Sequence, residues 1–155
     1  MSRLQPTNLL LNFYIDKPHF PYQFSGDYNF DDEDLLSGLG GCNTWLLWTL
    51  RTYLELRKIY QCRLTDNMPE SGIVLFFRGS VGLTEKPNKD QFWVCMVADT
   101  TWHPYSQVNL FQNAYWINKY PQSYFIRHWP QLDIIKSRRN GVSPQNITYF
   151  GDLNN

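Results

Sequence analysis

The chain has 155 residues, and its 14 Lys and Arg balance its 14 Asp and Glu to a formal net charge of zero. Nucleic acids and anionic membrane surfaces are bound mainly through clustered positive charge, and the sequence has no strong basic patch. Aromatic residues make up 17% of the chain, which is typical of a folded domain with ample apolar surface to bury. We therefore expect one compact domain over residues 1–155.

The sequence also bears on location and on metal or thiol chemistry. Its apolar runs are too short for a membrane helix and its N-terminus lacks the pattern of a secretory signal, so we expect a cytoplasmic protein. The cysteines and histidines are scattered: Cys42, Cys62, Cys95, His19, His103 and His128. Because these spacings match neither a disulfide framework nor a metal motif, we expect reduced thiols, no metal and no cofactor.

Secondary structure can be predicted in chain order. The almost continuously apolar segment 7–15 predicts a strand covered on both faces, and the turn-rich segment 16–41 predicts a long loop. Residues 42–60 predict a helix, because apolar residues recur at helical spacing opposite a polar stripe. Short apolar segments predict further strands at 62–64, 73–77, 92–98, 108–111, 123–126 and 147–150.

This order of elements favours the α/β class, with a largely parallel sheet, one long helix after the first strand and short irregular crossovers. The second choice is α+β. The later strands are separated by spans of about ten residues, which leave little room for crossover helices. For that reason we also expect some antiparallel edges.

Polar residues follow several predicted strands. In open α/β sheets, ligands bind beyond the carboxyl ends of the strands, so these residues are candidates for a binding site. They are Arg78, Asp99, His103, Gln112, Asn113, Arg127, His128 and Trp129.

Within this set, Asp99 and His103 lie four residues apart after a predicted strand, a spacing that suits a general base and an orienting partner. The alternative is that Asp99 caps a turn. Arg127, His128 and Trp129 combine a cation, a titratable ring and a flat face, which suits an anionic or sugar ligand. The alternative for them is a structural corner at Trp129 and Pro130.

The glycines Gly38, Gly40 and Gly41 directly precede the predicted helix. Backbone N–H groups at a helix start can receive a phosphate, a carboxylate or a sugar hydroxyl. The alternative is that small residues only let the loop pass close to the sheet. The motif is neither GxGxxG nor a P-loop.

Four segments between residues 78 and 152 carry a resemblance to a known family. They are Val97-Ala98-Asp99, the run Asn109 to Asn113, the run Ile126 to Gln131, and the run Asn146 to Asp152. In this order they resemble the N-terminal, acceptor-side domain of two-domain glycosyltransferases of the GT-B type. The resemblance implies a Rossmann-like domain whose loops face a cleft, a donor nucleotide-sugar held mostly by a second domain, and no metal requirement. The loop from Gly38 to Gly41 would match the glycine loop after the first strand of that domain.

The resemblance implies a glycosyltransferase-like acceptor-side domain that transfers sugar only when a second domain or a protein partner is supplied. Asp99 or His103 would be the base, Gly40 and Gly41 would let the ligand approach closely, and Arg127 with His128 would line the cleft. The alternative function is a non-enzymatic protein interaction module. It rests on an aromatic content higher than a small core usually hides, since exposed aromatic patches commonly mark protein partners.

Overall fold

A computed structural model of the chain describes residues 9–22, 44–97 and 101–127. It has an α/β, Rossmann-like fold, built on a six-stranded parallel sheet in the order β2-β1-β3-β4-β5-β6. The strands are β1 (Leu10–Tyr14), β2 (Gln61–Thr65), β3 (Gly72–Phe77), β4 (Gln91–Val97), β5 (Val108–Phe111) and β6 (Ser123–Phe125). The α-helix of the described residues, α1 (Thr44–Leu56), connects β1 to β2.

The predicted strands within the described residues are confirmed, with ends that differ by a few residues at most. The largest difference is at β1, which begins at Leu10. Apolar residues on successive positions, such as Val74, Leu75 and Phe76 of β3, are all buried, because both faces of the central strands are covered. The strand predicted at residues 147–150 and the glycine loop at 38–41 lie outside the described residues.

The predicted helix is confirmed, but it is shorter than residues 42–60. Leu46, Leu50 and Leu54 form one buried row that packs with Ile15. After Leu56 the backbone tightens, because the Lys58 N–H donates to the carbonyl of Glu55 three residues earlier. The remaining residues up to Tyr60 therefore form a turn.

The two faces of the sheet are covered differently. On one face, Leu11, Phe13 and Leu75 pack against α1 through Tyr53 and Leu56. On the other face, a larger cluster is covered by connecting segments that contain short 3₁₀ turns at Arg78–Ser80 and Ala114–Trp116. This cluster contains Val74, Phe76, Val81, Trp93, Cys95, Val97 and Phe111.

The expectation of antiparallel edges is wrong, since every described strand pair is parallel. The connections are short, but they run across the sheet as extended chain and 3₁₀ turns, which need less length than a helix. Residues 66–71 alone return the chain from β2, past β1, to the start of β3. Within the described residues, no helix has the length and apolar character needed to cross a membrane.

Candidate functional site

The strand order creates a crevice at the carboxyl edge of the sheet, between β1 and β3. The chain passes from β1 to β2 on one side and then continues from β3 towards β6 on the other. The helix that follows β1 packs on the Phe13 face, whereas Val81, which follows β3, packs on the opposite face. Because the two connections diverge there, this is the position at which open α/β sheets bind their ligands.

Asp16 and His19 form a hydrogen-bonded pair at this crevice. Asp16 follows β1 and precedes a 3₁₀ turn, Lys17–His19, in which Pro18 restrains the backbone. The turn brings His19 Nδ1 to 2.7 Å from Asp16 Oδ2. The side chains of His19 and Asp16 are 47% and 20% exposed, so both groups are accessible from solvent.

This geometry fixes the orientation of the imidazole. A carboxylate oxygen only accepts hydrogen bonds, so in neutral His19 the proton lies on Nδ1 and the lone pair on Nε2. Nε2 makes no hydrogen bond to any residue that the structure describes. The pair therefore has the arrangement of a general base with an orienting carboxylate.

Two aromatic side chains adjoin the Asp16–His19 pair. The ring of His19 meets the edge of the Trp45 ring, with centroids 5.4 Å apart and planes at 76°. Trp45, in the first turn of α1, stacks on Phe77 at the end of β3, with centroids 4.3 Å apart and planes at 8°. The stacked pair forms a flat apolar wall beside the imidazole, of the kind that supports sugar or aromatic rings.

The same wall borders a small concavity that is open to solvent and has room for little more than a water molecule. It lies between the start of α1 and the carboxyl ends of β3, β4 and β5. Among the described residues, its lining consists of Trp45, Trp48, Phe77, Met96, Val97 and Gln112. Nearly all of the exposed lining is apolar.

Three carboxylates act on Tyr14, at the end of β1. The pKa of Tyr14 is raised by burial and then by the charges of Asp16, Glu85 and Asp66. Asp66 also accepts a hydrogen bond from the Tyr22 hydroxyl at 3.1 Å. These carboxylates oppose a phosphate or another anion beside the Tyr14 hydroxyl.

The His, Cys, Asp and Glu side chains of the described residues are spread apart. Across residues 9–22, 44–97 and 101–127, no three His, Cys, Asp or Glu side chains come together as a possible metal site. Both described cysteines are free. Burial raises the pKa of the Cys95 thiol to about 12, so this side chain stays a neutral thiol near pH 7.

His103, a candidate base in the sequence, lies in the core on the face opposite α1. Its side chain is fully buried, and its ring meets those of Phe76 and Trp93 edge to face. Its Nε2–H donates to the carbonyl of Gly82 at 3.0 Å, and its Nδ1 accepts the Tyr105 N–H at 3.4 Å. Burial lowers the pKa of His103, so the ring is held neutral with both nitrogens occupied.

The other described candidates follow the carboxyl ends of three different strands. Arg78, after β3, donates from Nη1 to the carbonyl of Val81, and its charge acts on Cys95 and His103. Gln112, after β5, lines the concavity. The Asn113 side chain accepts the Tyr115 N–H and so caps a 3₁₀ turn, and Arg127 is exposed after β6.

The structure thus brings one of the predicted residues, Gln112, to the concavity. The remaining candidates, Gly38, Gly40, Gly41, Asp99, His128 and Trp129, lie outside the described residues.

The sequence analysis missed Asp16, His19 and the aromatic residues Trp45, Trp48 and Phe77 of the candidate site, as well as Met96 and Val97 of the concavity. A signal for the first two was available, because an Asp and a His three residues apart directly follow the first predicted strand. For the tryptophans, the signal was two large aromatic residues in the first two turns of the predicted helix. Neither pattern identifies a site by itself, because the order of the strands in the sheet decides which residues lie together.

Comparison with known proteins adds no relative to this description. No family model matches the chain, and neither the curated proteins nor the solved structures gave a match.

Proposed function

We propose that this chain is the acceptor-binding domain of a glycosyltransferase-like enzyme, which transfers sugar from a nucleotide-sugar when a second domain or protein partner supplies the donor. The Asp16–His19 pair would be the base that activates the acceptor hydroxyl. Trp45 and Phe77 would support the acceptor beside it. His103 is a weaker choice of base, because both of its ring nitrogens are already hydrogen-bonded.

The observation that carries this proposal is the 2.7 Å contact between Asp16 and His19 at the β1/β3 crevice. Acceptor activation requires a base with a free lone pair within reach of a bound hydroxyl, and His19 Nε2 makes no hydrogen bond to the described residues. An adjoining aromatic wall is the surface on which sugar and aromatic rings stack.

The electrostatics favour the acceptor over the donor at this crevice. A nucleotide-sugar carries phosphate charges, and the carboxylates of Asp16, Asp66 and Glu85 around Tyr14 would repel them. A neutral hydroxylated acceptor avoids that repulsion. This supports a division in which the donor phosphates are held elsewhere.

The proposed reaction proceeds by displacement. As the acceptor oxygen attacks the anomeric carbon of the donor sugar, His19 Nε2 takes the hydroxyl proton. The bond from the anomeric carbon to the nucleotide phosphate breaks, and the phosphate leaves with the bonding electrons. The Asp16 carboxylate stabilises the imidazolium that forms, as in other Asp–His pairs.

Titration of the ¹⁵N-labelled chain with neutral hydroxylated acceptors and with UDP-glucose, with product formation followed in the same samples, would test this function. Acceptors are expected to shift the signals of His19 and Trp45, and UDP-glucose is expected to shift them little. With a donor-holding partner present, His19→Gln is expected to lower the transfer rate about 10²- to 10⁴-fold. Lys17→Gln, in the same turn, is the matched control and should retain the rate.

Two results would contradict the proposal. One is UDP-glucose binding at the crevice more tightly than any neutral acceptor, since this would make it a donor site. The other is a His19→Gln variant that transfers sugar at the full rate.

The alternative function, a protein interaction module, is favoured by exposed aromatic side chains near β6. Tyr115 is 63% exposed and Tyr124 is 57% exposed, and Phe125 beside them is also exposed. Such patches commonly contact other proteins. Sedimentation of the wild-type chain and of Tyr124→Ser over a range of concentrations tests this, because a self-association surface would make only the wild type concentration-dependent.

A further inference from the structure

The sheet ends at β6 with an edge that no described strand covers. Among the described strands, β6 is the last in the sheet order and pairs with β5 alone. Tyr124 is aligned with Leu110 and is 57% exposed, whereas Phe125 is aligned with Phe111, on the opposite face, and is 46% exposed. The edge therefore presents an aromatic side chain on each face of the sheet, together with its backbone.

The backbone groups at this edge can be assigned from the bonds that β6 makes to β5. The Ile126 N–H donates to the carbonyl of Phe111 at 2.8 Å, and the carbonyl of Gln122 accepts an N–H of β5 at 2.8 Å. Every second residue from Gln122 to Ile126 therefore directs its backbone groups to β5, and the alternation of a strand directs those of Ser123 and Phe125 away from it. Two N–H and two C=O groups thus point out of the sheet, where no described strand pairs with them.

The two edges of the sheet differ in how they resist pairing with another chain. β2, at the other edge, carries the exposed charged side chain of Arg63 at its centre. Charged residues and prolines on an edge strand disfavour edge-to-edge pairing. β6 has neither, since it consists of Ser123, Tyr124 and Phe125. Of the two edges, β6 is therefore the one that favours the addition of a strand.

A second copy of this chain fits this edge, because the edge is self-complementary. When two β6 strands run antiparallel about a two-fold axis, Ser123 of one copy lies opposite Phe125 of the other, and their outward N–H and C=O groups meet in four hydrogen bonds. Tyr124 then lies opposite its equivalent on the same face, as a cross-strand aromatic pair. The formal net charge of zero means that two whole copies do not repel each other.

We propose that two copies of this chain associate through β6, so that their two six-stranded sheets become continuous. This identifies a second copy as the partner in the alternative function, and it does not depend on glycosyl transfer. Four hydrogen bonds and one aromatic pair form a small interface, so the dimer is weak and dissociates on dilution.

Hydrogen–deuterium exchange of the wild-type chain, followed by ¹⁵N NMR from micromolar to millimolar concentration, tests this pairing. The Ser123 and Phe125 amides are expected to exchange more slowly as the concentration rises, in step with an increase in sedimenting mass. The Tyr124 amide faces β5 and is the internal control, so its exchange should change little. Because the wild-type chain is observed directly, this readout does not depend on the folding of a variant.

Phe125→Pro and Phe125→Ala form a matched pair of variants. Both remove the aromatic ring, but only proline also removes the outward N–H, and neither removes a bond from β6 to β5. Proline deletes one intermolecular hydrogen bond from each copy. The dissociation constant of Phe125→Pro is therefore expected to be about 5- to 150-fold higher than that of Phe125→Ala.

Three outcomes would overturn the proposal. The first is a wild-type chain that stays monomeric up to millimolar concentration. The second is exchange at Ser123 and Phe125 that does not depend on concentration, since slow exchange in the monomer would mean that the edge is covered within the chain. The third is an equal dissociation constant for the two variants. A His19→Gln variant that keeps the full transfer rate would leave the dimer in place, so the two proposals fail separately.

Discussion

The two described histidines, His19 and His103, differ in exposure and in hydrogen bonding, although their spacing in the sequence did not distinguish them. His19 is half-exposed, with one ring nitrogen bound to Asp16 and the other without a hydrogen bond to the described residues. His103 is fully buried, with both ring nitrogens hydrogen-bonded within the core. A free lone pair at a crevice can exchange protons with a substrate, whereas a saturated buried ring contributes to packing.

Replacing His103 by Ala should therefore lower the stability of the folded chain. The substitution removes a ring that contacts Phe76 and Trp93 and leaves the Gly82 carbonyl without its donor. We expect the free energy of unfolding to fall by about 3 kcal/mol in urea titrations. His19→Ala is the control and should lose less than about 1 kcal/mol, and equal losses in the two variants would contradict this assignment.

Replacing Asp16 by Asn tests the orientation of His19. An Asn amide can donate to Nδ1, which would move the imidazole proton to Nε2 and abolish the base. We expect the ¹⁵N signals of the His19 ring to report this change of tautomer, together with a fall in transfer of about 10²- to 10⁴-fold in the assembled enzyme. A His19 ring whose signals keep the wild-type tautomer in the Asn variant would refute the role of Asp16.

Among the elements, α1 stabilises the sheet through one row of leucines. Leu50 is fully buried between Ile15 and the neighbouring leucines, whereas Ile59, just beyond the helix, is exposed. Leu50→Ala should lower the free energy of unfolding by about 2–5 kcal/mol, and Ile59→Ala by less than about 1 kcal/mol. Urea titrations of both variants measure this difference, and similar losses would mean that the leucine row is not the main contact of α1.

The elements could be predicted from the sequence because their signals are local. The apolar run of β3 and the leucine spacing of α1 each identify an element without reference to the rest of the chain. The strand directions could not be predicted in the same way. Short spans were interpreted as too short for some parallel crossovers, but residues 78–90 cross from β3 to β4 without an α-helix.

At the scale of the whole molecule, the candidate site depends on strand order. Polar residues after the predicted strands pointed to the carboxyl edge of the sheet, and one of them, Gln112, lines the concavity there. The contact of Trp45 with Phe77 joins residues distant in sequence, and it follows from β3 lying next to β1. Local patterns do not encode that adjacency, so the sequence could not indicate that His19 and Trp45 lie together.

The stability of the whole molecule should fall in acid because of His103. Burial lowers its pKa in the folded state from an ordinary value of 6.5. Below about pH 6.5 the unfolded chain therefore binds a proton that the folded chain does not. The contribution of His103 to the free energy of unfolding then falls by up to about 1.4 kcal/mol for each pH unit of acidification. Urea titrations at several pH values should show this loss of stability in the wild type and in His19→Gln alike. If the loss disappears in His19→Gln, then His19 causes it and the assignment to His103 is wrong.

Cys95 should produce the corresponding loss in alkali. Its thiol has an ordinary pKa of 9.0 when unfolded, and burial in the sheet raises the pKa to about 12. Between these values the unfolded chain releases a proton that the folded chain retains, so the free energy of unfolding should fall by up to about 1.4 kcal/mol per pH unit above pH 9. Cys95→Ala should be less stable at neutral pH, because it leaves a small cavity, but its stability should decline less steeply with rising pH. Because lysines and tyrosines also titrate in this range, the difference between the two slopes is the measurement, and parallel slopes would show that the Cys95 thiol is not held neutral by the fold.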